Sequence, residues 1–391
     1  MIHQKPLRPS HSHHLPLQEG MLALGLWIRK NIVLTVAAVA ALVTSCIVPP
    51  DAQYASYFDW KTLTCLFCVL AVVCALKNIR FFTILARKIV DCTGNLRVSV
   101  LALVYITFIG SMLIANDMAL LTFLPLGYFV LSSTGKEKYM AFVFIMQNIA
   151  ANLGGMLTPF GNPQNLYLYT KFNIPTGEFM SIMLLPFLAA IALITICCLC
   201  LPKEKLAITE PCNARLPVKR TAIYLALFAL SIVIVFRVIP YQIGLVLIPA
   251  VLFFMDRKAL RMVDYPLLLT FVCFFIFSGN LARVPAVNNL FSSLLEQNTL
   301  LVSALSCQFI SNVPSAVLLS QFTENYKELL LGVNIGGAGT LIASLASLIT
   351  FREFTANNPG KTKQYLLIFS AFNFGMLALL LCVVSVWLNL A

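Results

Sequence analysis

The chain has 391 residues, 60% of them hydrophobic and 11% charged, with a mean hydropathy of +0.88. A soluble domain of this size cannot hide so much apolar surface, so composition excludes a soluble fold and points to an all-α polytopic membrane protein. The formal net charge of +12 sits in short loops between apolar runs. That is the pattern of membrane orientation, and it argues against nucleic acid as a partner.

Residues 1–30 form a polar, proline-broken segment with all the histidines (His3, His11, His13, His14). It has no apolar core of its own, so it reads as a cytosolic tail rather than a signal peptide. A first span follows at 31–48, between Arg29-Lys30 and Asp51, which places the N-terminus inside. The run 62–76 returns to Lys77 and Arg80, and 81–90 mixes apolar residues with Arg87-Lys88, as an amphipathic helix on the inner surface does.

The stretch 97–134 is long enough for two passes of about 17 residues, yet Asn116-Asp117 sits at its middle. We read a re-entrant hairpin that enters from inside, turns near the midplane and goes back; two full spans with an outer turn are the alternative. The next helix, 139–170, cannot run unbroken through Thr158-Pro159 and Gly161-Asn162-Pro163. The run 179–201 comes back to a basic linker, 202–220, which divides the first repeat (31–201) from the second (241–391), with a connecting helix at 221–240.

The second half repeats the plan. Spans at 243–254 and 266–277 flank Arg257, Lys258 and Arg261. A semi-polar segment, 282–298, suits the outer surface. A second hairpin, 298–323, is interrupted at Ser311-Asn312-Val313-Pro314, and a second broken helix, 327–350, passes through Asn334-Ile335-Gly336-Gly337-Ala338-Gly339-Thr340. A basic loop at 352–363 and a last span at 365–388 leave the C-terminus outside. In total the pattern predicts about nine spanning helices and two re-entrant hairpins, in an inverted-topology repeat with broken helices.

Most of the 12 cysteines lie in apolar runs and read as small hydrophobes. A soft-metal or arsenite thiol cluster at Cys197, Cys198 and Cys200 is the minority reading.

The two halves align at the interruptions. Asn116-Asp117 stands against Asn312-Val313, Asn152-Leu153-Gly154-Gly155 against Asn334-Ile335-Gly336-Gly337, and Thr158 against Thr340. Inverted repeats whose broken helices meet at mid-membrane are the architecture of secondary transporters. On these motifs the chain resembles the ion-transporter superfamily of divalent anion/sodium symporters, citrate transporters and arsenite permeases, within it a short bacterial group of anion permeases. The sodium/dicarboxylate members of that superfamily carry Ser-Asn-Thr at each hairpin tip; here the tips read Ala115-Asn116-Asp117 and Ser311-Asn312-Val313. Gly161-Asn162-Pro163-Gln164-Asn165 resembles the family's Gly-Thr-Pro-Pro-Asn element. The segment after Thr340 looks closer to the arsenite permeases.

Half-helix N-termini favour an anion, and unwound carbonyls with asparagine side chains suit a cation. The expected substrate contacts are Asn116, Asn312, Ser311, Asn162, Asn165, Thr158 and Thr340. The expected ion contacts are Asp117, Asn116, Gly161, Asn312 and Gly337, with Asp117 a sodium or proton site; capping of the hairpin tip is its other reading. Asn152 and Asn334 either face the ligand or bind helices together. The resulting expectation is a carrier of a small di- or tricarboxylate-like anion coupled to sodium or protons. Efflux of arsenite or another inorganic anion is the runner-up. No enzyme activity and no cofactor beyond the coupling ion are expected. The resemblance implies an elevator mechanism, a homodimer and a place in the bacterial inner membrane.

Overall fold

Hydrocarbon tolerates only backbone that closes its own hydrogen bonds, and apolar runs do so as helices. The computed structural model describes residues 31–91, 93–205 and 215–390; the tail 1–30, with its histidines, and the middle of the linker lie outside the described residues. Among the described residues the regular elements are all helical, beside one isolated bridge between Asn95 and Lys205. In chain order they are α1 (Ile32–Ile47), α2 (Tyr54–Tyr57), α3 (Trp60–Asn78), α4 (Phe81–Asp91), α5 (Leu96–Ile114), α6 (Asn116–Ser133), α7 (Met140–Gly154), α8 (Pro163–Lys171) and α9 (Thr176–Leu199). After the linker come α10 (Val218–Val235), α11 (Tyr241–Met255), α12 (Arg257–Arg261), α13 (Tyr265–Ala282), α14 (Pro285–Ile310), α15 (Asn312–Leu319), α16 (Tyr326–Ile335), α17 (Leu345–Asn357) and α18 (Thr362–Leu390).

Seven of these segments are long and apolar enough to cross a membrane, and α1 and α11 are shorter apolar helices. One of the seven, α5, forms the outer arm of the first hairpin. It turns at Ala115 into α6, which runs back beside it. The α14–α15 pair makes the second hairpin. Its outer helix bends at Asn298, which leaves helical geometry (φ −163°, ψ 89°) and accepts a hydrogen bond from Leu301 N at 2.8 Å. The bend separates the semi-polar segment before Asn298 from the hairpin arm after it. The expected loop at 352 is instead the last turns of α17, so Arg352 and Glu353 are helical.

Side-chain bonds sort the loops onto two faces. Lys136, Lys138 and Tyr139 meet Glu204, and Asn78 meets Asp256, on one face. Arg283 meets Asp51, Arg237 meets the α8–α9 turn, and Tyr326 and Lys327 meet Glu178 on the other. The first face carries the basic clusters.

Helix contacts divide the molecule into two bodies. In one, α1 lies on α13 and α11 lies on α3, with α10 against both α3 and α11. The first helix of each repeat therefore embraces the second helix of the other. The other body gathers α5–α9 and α14–α18, again reciprocally: α8 meets α15 and α16, as α17 meets α6 and α7. At its centre is α7, almost wholly buried, its Gln147, Asn148 and Asn152 side chains hydrogen-bonded inside the body. The two bodies touch chiefly where α3 meets α8 and α13 meets α15.

Candidate functional site

Each hairpin reverses at one residue. Ala115 (φ 64°, ψ 151°) and Ser311 (φ 73°, ψ 159°) hold a conformation that glycine alone adopts readily. The next residue then starts the inner arm. Asn116 Oδ1 accepts from Asp117 N, and Asn312 Oδ1 accepts from Val313 N, both at 2.9 Å. The asparagines thus satisfy the first free amide of each arm, and Asp117 is not needed as a cap.

The broken helices mirror each other as closely. The first half ends at Gly154, the second at Ile335, and single 3₁₀ turns follow at Gly155–Leu157 and Leu341–Ala343. Thr158 Oγ1 donates to Met112 O at 2.9 Å, and Thr340 Oγ1 donates to Gln308 O at 3.0 Å. Each threonine ties its break to the hairpin of its own repeat. The exposed carbonyls of the breaks are satisfied by different means. Asn165 Nδ2, from α8, reaches Gly155 O, Met156 O and Thr158 O at 3.1–3.3 Å. Gln308, from the hairpin, reaches Gly336 O at 2.8 Å and Ala338 O at 3.1 Å. A Cβ on Gly154 would strike Phe108 O, and one on Gly336 would lie 2.9 Å from Ala304 O, so helix and hairpin meet backbone to backbone.

The repeats join through amides. Asn116 Nδ2 donates to Asn152 Oδ1 at 3.1 Å, and Ser344 Oγ donates to the same oxygen at 2.7 Å. Asn334 Nδ2 donates to Asn165 Oδ1 at 2.6 Å, and its Oδ1 receives Gln164 and, at 3.5 Å, Asn162. Asn148 reaches Ser347 at 3.3 Å. Asn152 and Asn334 are therefore the junctions between the broken helices.

Between the two bodies lies a cavity of about 410 Å³, within the range of small-ligand sites. One wall is apolar and comes from α1 and α13, through Val36, Ala40, Leu267, Phe274 and Phe277. The other wall gathers the N-terminal ends of α6 (Asn116, Asp117), α8 (Pro163, Gln164), α15 (Asn312, Val313) and α17 (Ser344, Leu345). Each such end carries roughly half a positive charge. No lysine, arginine, histidine or cysteine lines the cavity among the described residues. Three buried oxygens around it accept no hydrogen bond: Asp117 Oδ1, Asn162 Oδ1 and Gln164 Oε1. A buried acceptor without a partner is costly, and the free oxygens of Asp117 and Gln164 on one cavity wall suit a cation or a proton.

The structure brings Asn116, Asp117, Ser311 and Asn312 to the cavity wall. Asn162 and Asn165 lie behind it in the first break, and Thr158 and Thr340 act as tethers. Gly161 sits under the Gly155 carbonyl, and Gly337 lies against the Asn312 amide, both in the turns that support the tips. Sequence reasoning missed Gln164, Ser344 and Gln308 as site or support residues. Gln164 lies inside the Gly161-Asn162-Pro163-Gln164-Asn165 motif, and Gln308 is a single amide in an apolar run. Ser344 caps α17 by accepting from Ala346 N. Cys197, Cys198 and Cys200 lie at the far end of α9, and no group of three or more metal-ligating side chains occurs among the described residues.

Inverted repeats, with paired strained tips and paired breaks around a cavity between two bodies, are the architecture of a polytopic membrane transporter. The citrate transporter family matches residues 22–326, and the chain belongs to that family. It is thus a multi-pass membrane transporter of the citrate or anion type. It is 34% identical to the uncharacterized transporter MJ0456 of Methanocaldococcus jannaschii, over 79% of this chain and 85% of that protein. It is 29% identical to the inner membrane protein YbiR of Escherichia coli, over 75% of this chain and 80% of that one. The family match stops at the start of α16, so the second broken helix lies beyond it.

Proposed function

We propose that the protein is a coupled carrier that moves a small di- or tricarboxylate-like anion together with sodium ions or protons. One observation carries the reading: four named helix N-termini face a cavity whose only charged lining side chain, among the described residues, is Asp117. Converging N-termini favour an anion without any cationic side chain, while a carboxylate with free oxygens nearby favours a cation at the same place. In this reading Asn116, Ser311 and Asn312 hold the anion and Asp117 holds the coupling ion. A carboxylate and an anion repel unless a cation accompanies them, which couples the two movements.

The reading extends to the mechanism. The site lies between a scaffold (α1, α3, α10, α11, α13) and the body that holds both hairpins and both breaks. The scaffold wall of the cavity is apolar and offers few polar bonds to hold the ligand, so the ligand would travel with the other body, as an elevator requires. The basic face is cytosolic by the positive-inside rule, which puts the N-terminus inside and the C-terminus outside. The scaffold would also carry the contact of a homodimer.

Uptake of radiolabelled citrate into proteoliposomes, under an inward sodium gradient or an inward proton gradient, tests the carrier. Accumulation above equilibrium under one gradient, abolished by the matching ionophore, is expected. Equilibration without accumulation under both gradients would show a channel and overturn the reading.

A further inference from the structure

A second cavity, of about 650 Å³, opens on the face opposite the basic clusters. Its walls come from both bodies: the α2–α3 turn and the end of α13 on the scaffold side, the end of α8 and Gln321 on the other. Three cationic side chains line it, Lys61, Lys171 and Arg283, against one carboxylate, Asp59. Asp59 is engaged as the cap of α3, accepting from Thr62 N at 3.0 Å and Thr62 Oγ1 at 2.6 Å. Arg283 is paired with Asp51 at 2.7 Å and bonded to the Tyr57 hydroxyl at 3.1 Å. Neither Lys61 nor Lys171 makes an ion pair among the described residues. Lys61 is on the scaffold and Lys171 on the other body, so the two ammonium groups flank the gap between them.

Only a thin barrier separates this vestibule from the central cavity. Gln164 borders the central cavity and Tyr167, one turn further along α8, borders the vestibule. On α13 the adjacent Phe274 and Phe275 divide in the same way. The Tyr167 and Phe275 rings meet tilted, with centroids 5.6 Å apart, across the gap, and the Tyr167 hydroxyl is fixed by Ser320 at 2.8 Å and Gln321 at 3.4 Å. Charge is thus divided between the cavities. Among the described residues the deep one is lined by a carboxylate and no cationic side chain, and the shallow one by two lysines outside any ion pair.

We infer that this vestibule is a second anion site, in which Lys61 and Lys171 together hold a small soluble polycarboxylate across the gap between the two bodies. The identity of the ion rests on the carrier reading; the site itself rests on the vestibule. A cleft of one sign concentrates the opposite ion and speeds its arrival. It thereby supplies the attraction that the deep cavity lacks in side chains. An ion spanning both bodies also holds them in the present arrangement.

Trp60 adjoins Lys61, and its ring lies 5.5 Å from that of Phe58, which lines the vestibule. With Trp27→Phe and Trp387→Phe, its fluorescence reports the site in purified full-length protein. Citrate should quench it saturably, and Lys61→Gln/Lys171→Gln should weaken that binding by tenfold or more. Lys61→Arg/Lys171→Arg, which keeps the charge, should restore it, and Asn312→Ala in the deep cavity should leave it unchanged. The titration should be the same in phosphatidylcholine and phosphatidylglycerol nanodiscs. Unchanged quenching in the double glutamine variant, or quenching lost only where anionic lipid is present, would overturn the assignment, the latter in favour of a lipid headgroup. Failure of citrate accumulation in proteoliposomes would count against the carrier reading alone, because the binding signal does not depend on transport.

Discussion

Ala115 and Ser311, one in each half of the chain, adopt the same backbone conformation, with φ of 64° and 73° and ψ of 151° and 159°. Neither is glycine, so each tip holds strain of roughly 1–3 kcal/mol. The strain is what aims Asn116 and Asn312 and their helices at the cavity.

Replacing Ala115 tests that strain in both directions. Ala115→Gly removes the steric conflict and should raise the melting temperature in detergent, less a fraction of about 0.5–1 kcal/mol for the freer unfolded chain. Ala115→Val puts a β-branched residue at positive φ and should lower it markedly. A valine variant as stable as the parent would mean that the tip is relaxed.

Asp117→Asn removes the one charged side chain that the described residues place on the cavity wall, while keeping its size. If sodium binds there, the sodium dependence of uptake should weaken, and anion affinity should fall by the same coupling energy. If a proton binds there, uptake should lose its pH dependence. A capping role would instead leave ion dependence intact and lower stability by about 1 kcal/mol. The structure gives the capping bonds to Asn116 and Asn312, so a change in ion dependence is expected. Uptake assays with sodium and pH varied separately decide the matter.

Gln308 holds the second break through Gly336 O and Ala338 O and accepts from Thr340 N at 2.9 Å. Gln308→Leu keeps the bulk and strands these buried groups, each worth roughly 1–3 kcal/mol when left unpaired. Thermal unfolding should show a loss of at least about 2 kcal/mol. Stability equal to the parent would show that water or a rearranged turn replaces the amide.

On the basic face, Glu204 is held down to about 2, first by its bond from Lys136, then by those from Tyr139 and Lys138. Because the folded value lies below the ordinary 4.5, the contribution to stability is complete above that pH. It is lost as pH falls towards about 2. The difference in melting temperature between the parent and Glu204→Gln should therefore shrink on acidification across that window. A difference that stays constant across it would remove Glu204 from the linkage.

The sequence by itself determined the membrane class, the order of the helices, both hairpins and both breaks. These follow from local signals: apolar length, and polar or glycine–proline interruptions that hydrocarbon does not tolerate. It also paired Thr158 with Thr340 and Asn152 with Asn334, because an inverted repeat preserves spacing even where identity is lost. What it could not hold was direction in space. Only the tertiary structure decided that the threonines face the hairpin carbonyls, that Ser344 and Gln164 meet the asparagine junctions, and that Lys61 stands across a gap from Lys171. Those contacts join residues from separate helices, and side-chain type does not specify which neighbour completes a hydrogen bond. That depends on how the two bodies pack, a property of the whole chain and of no single stretch of it.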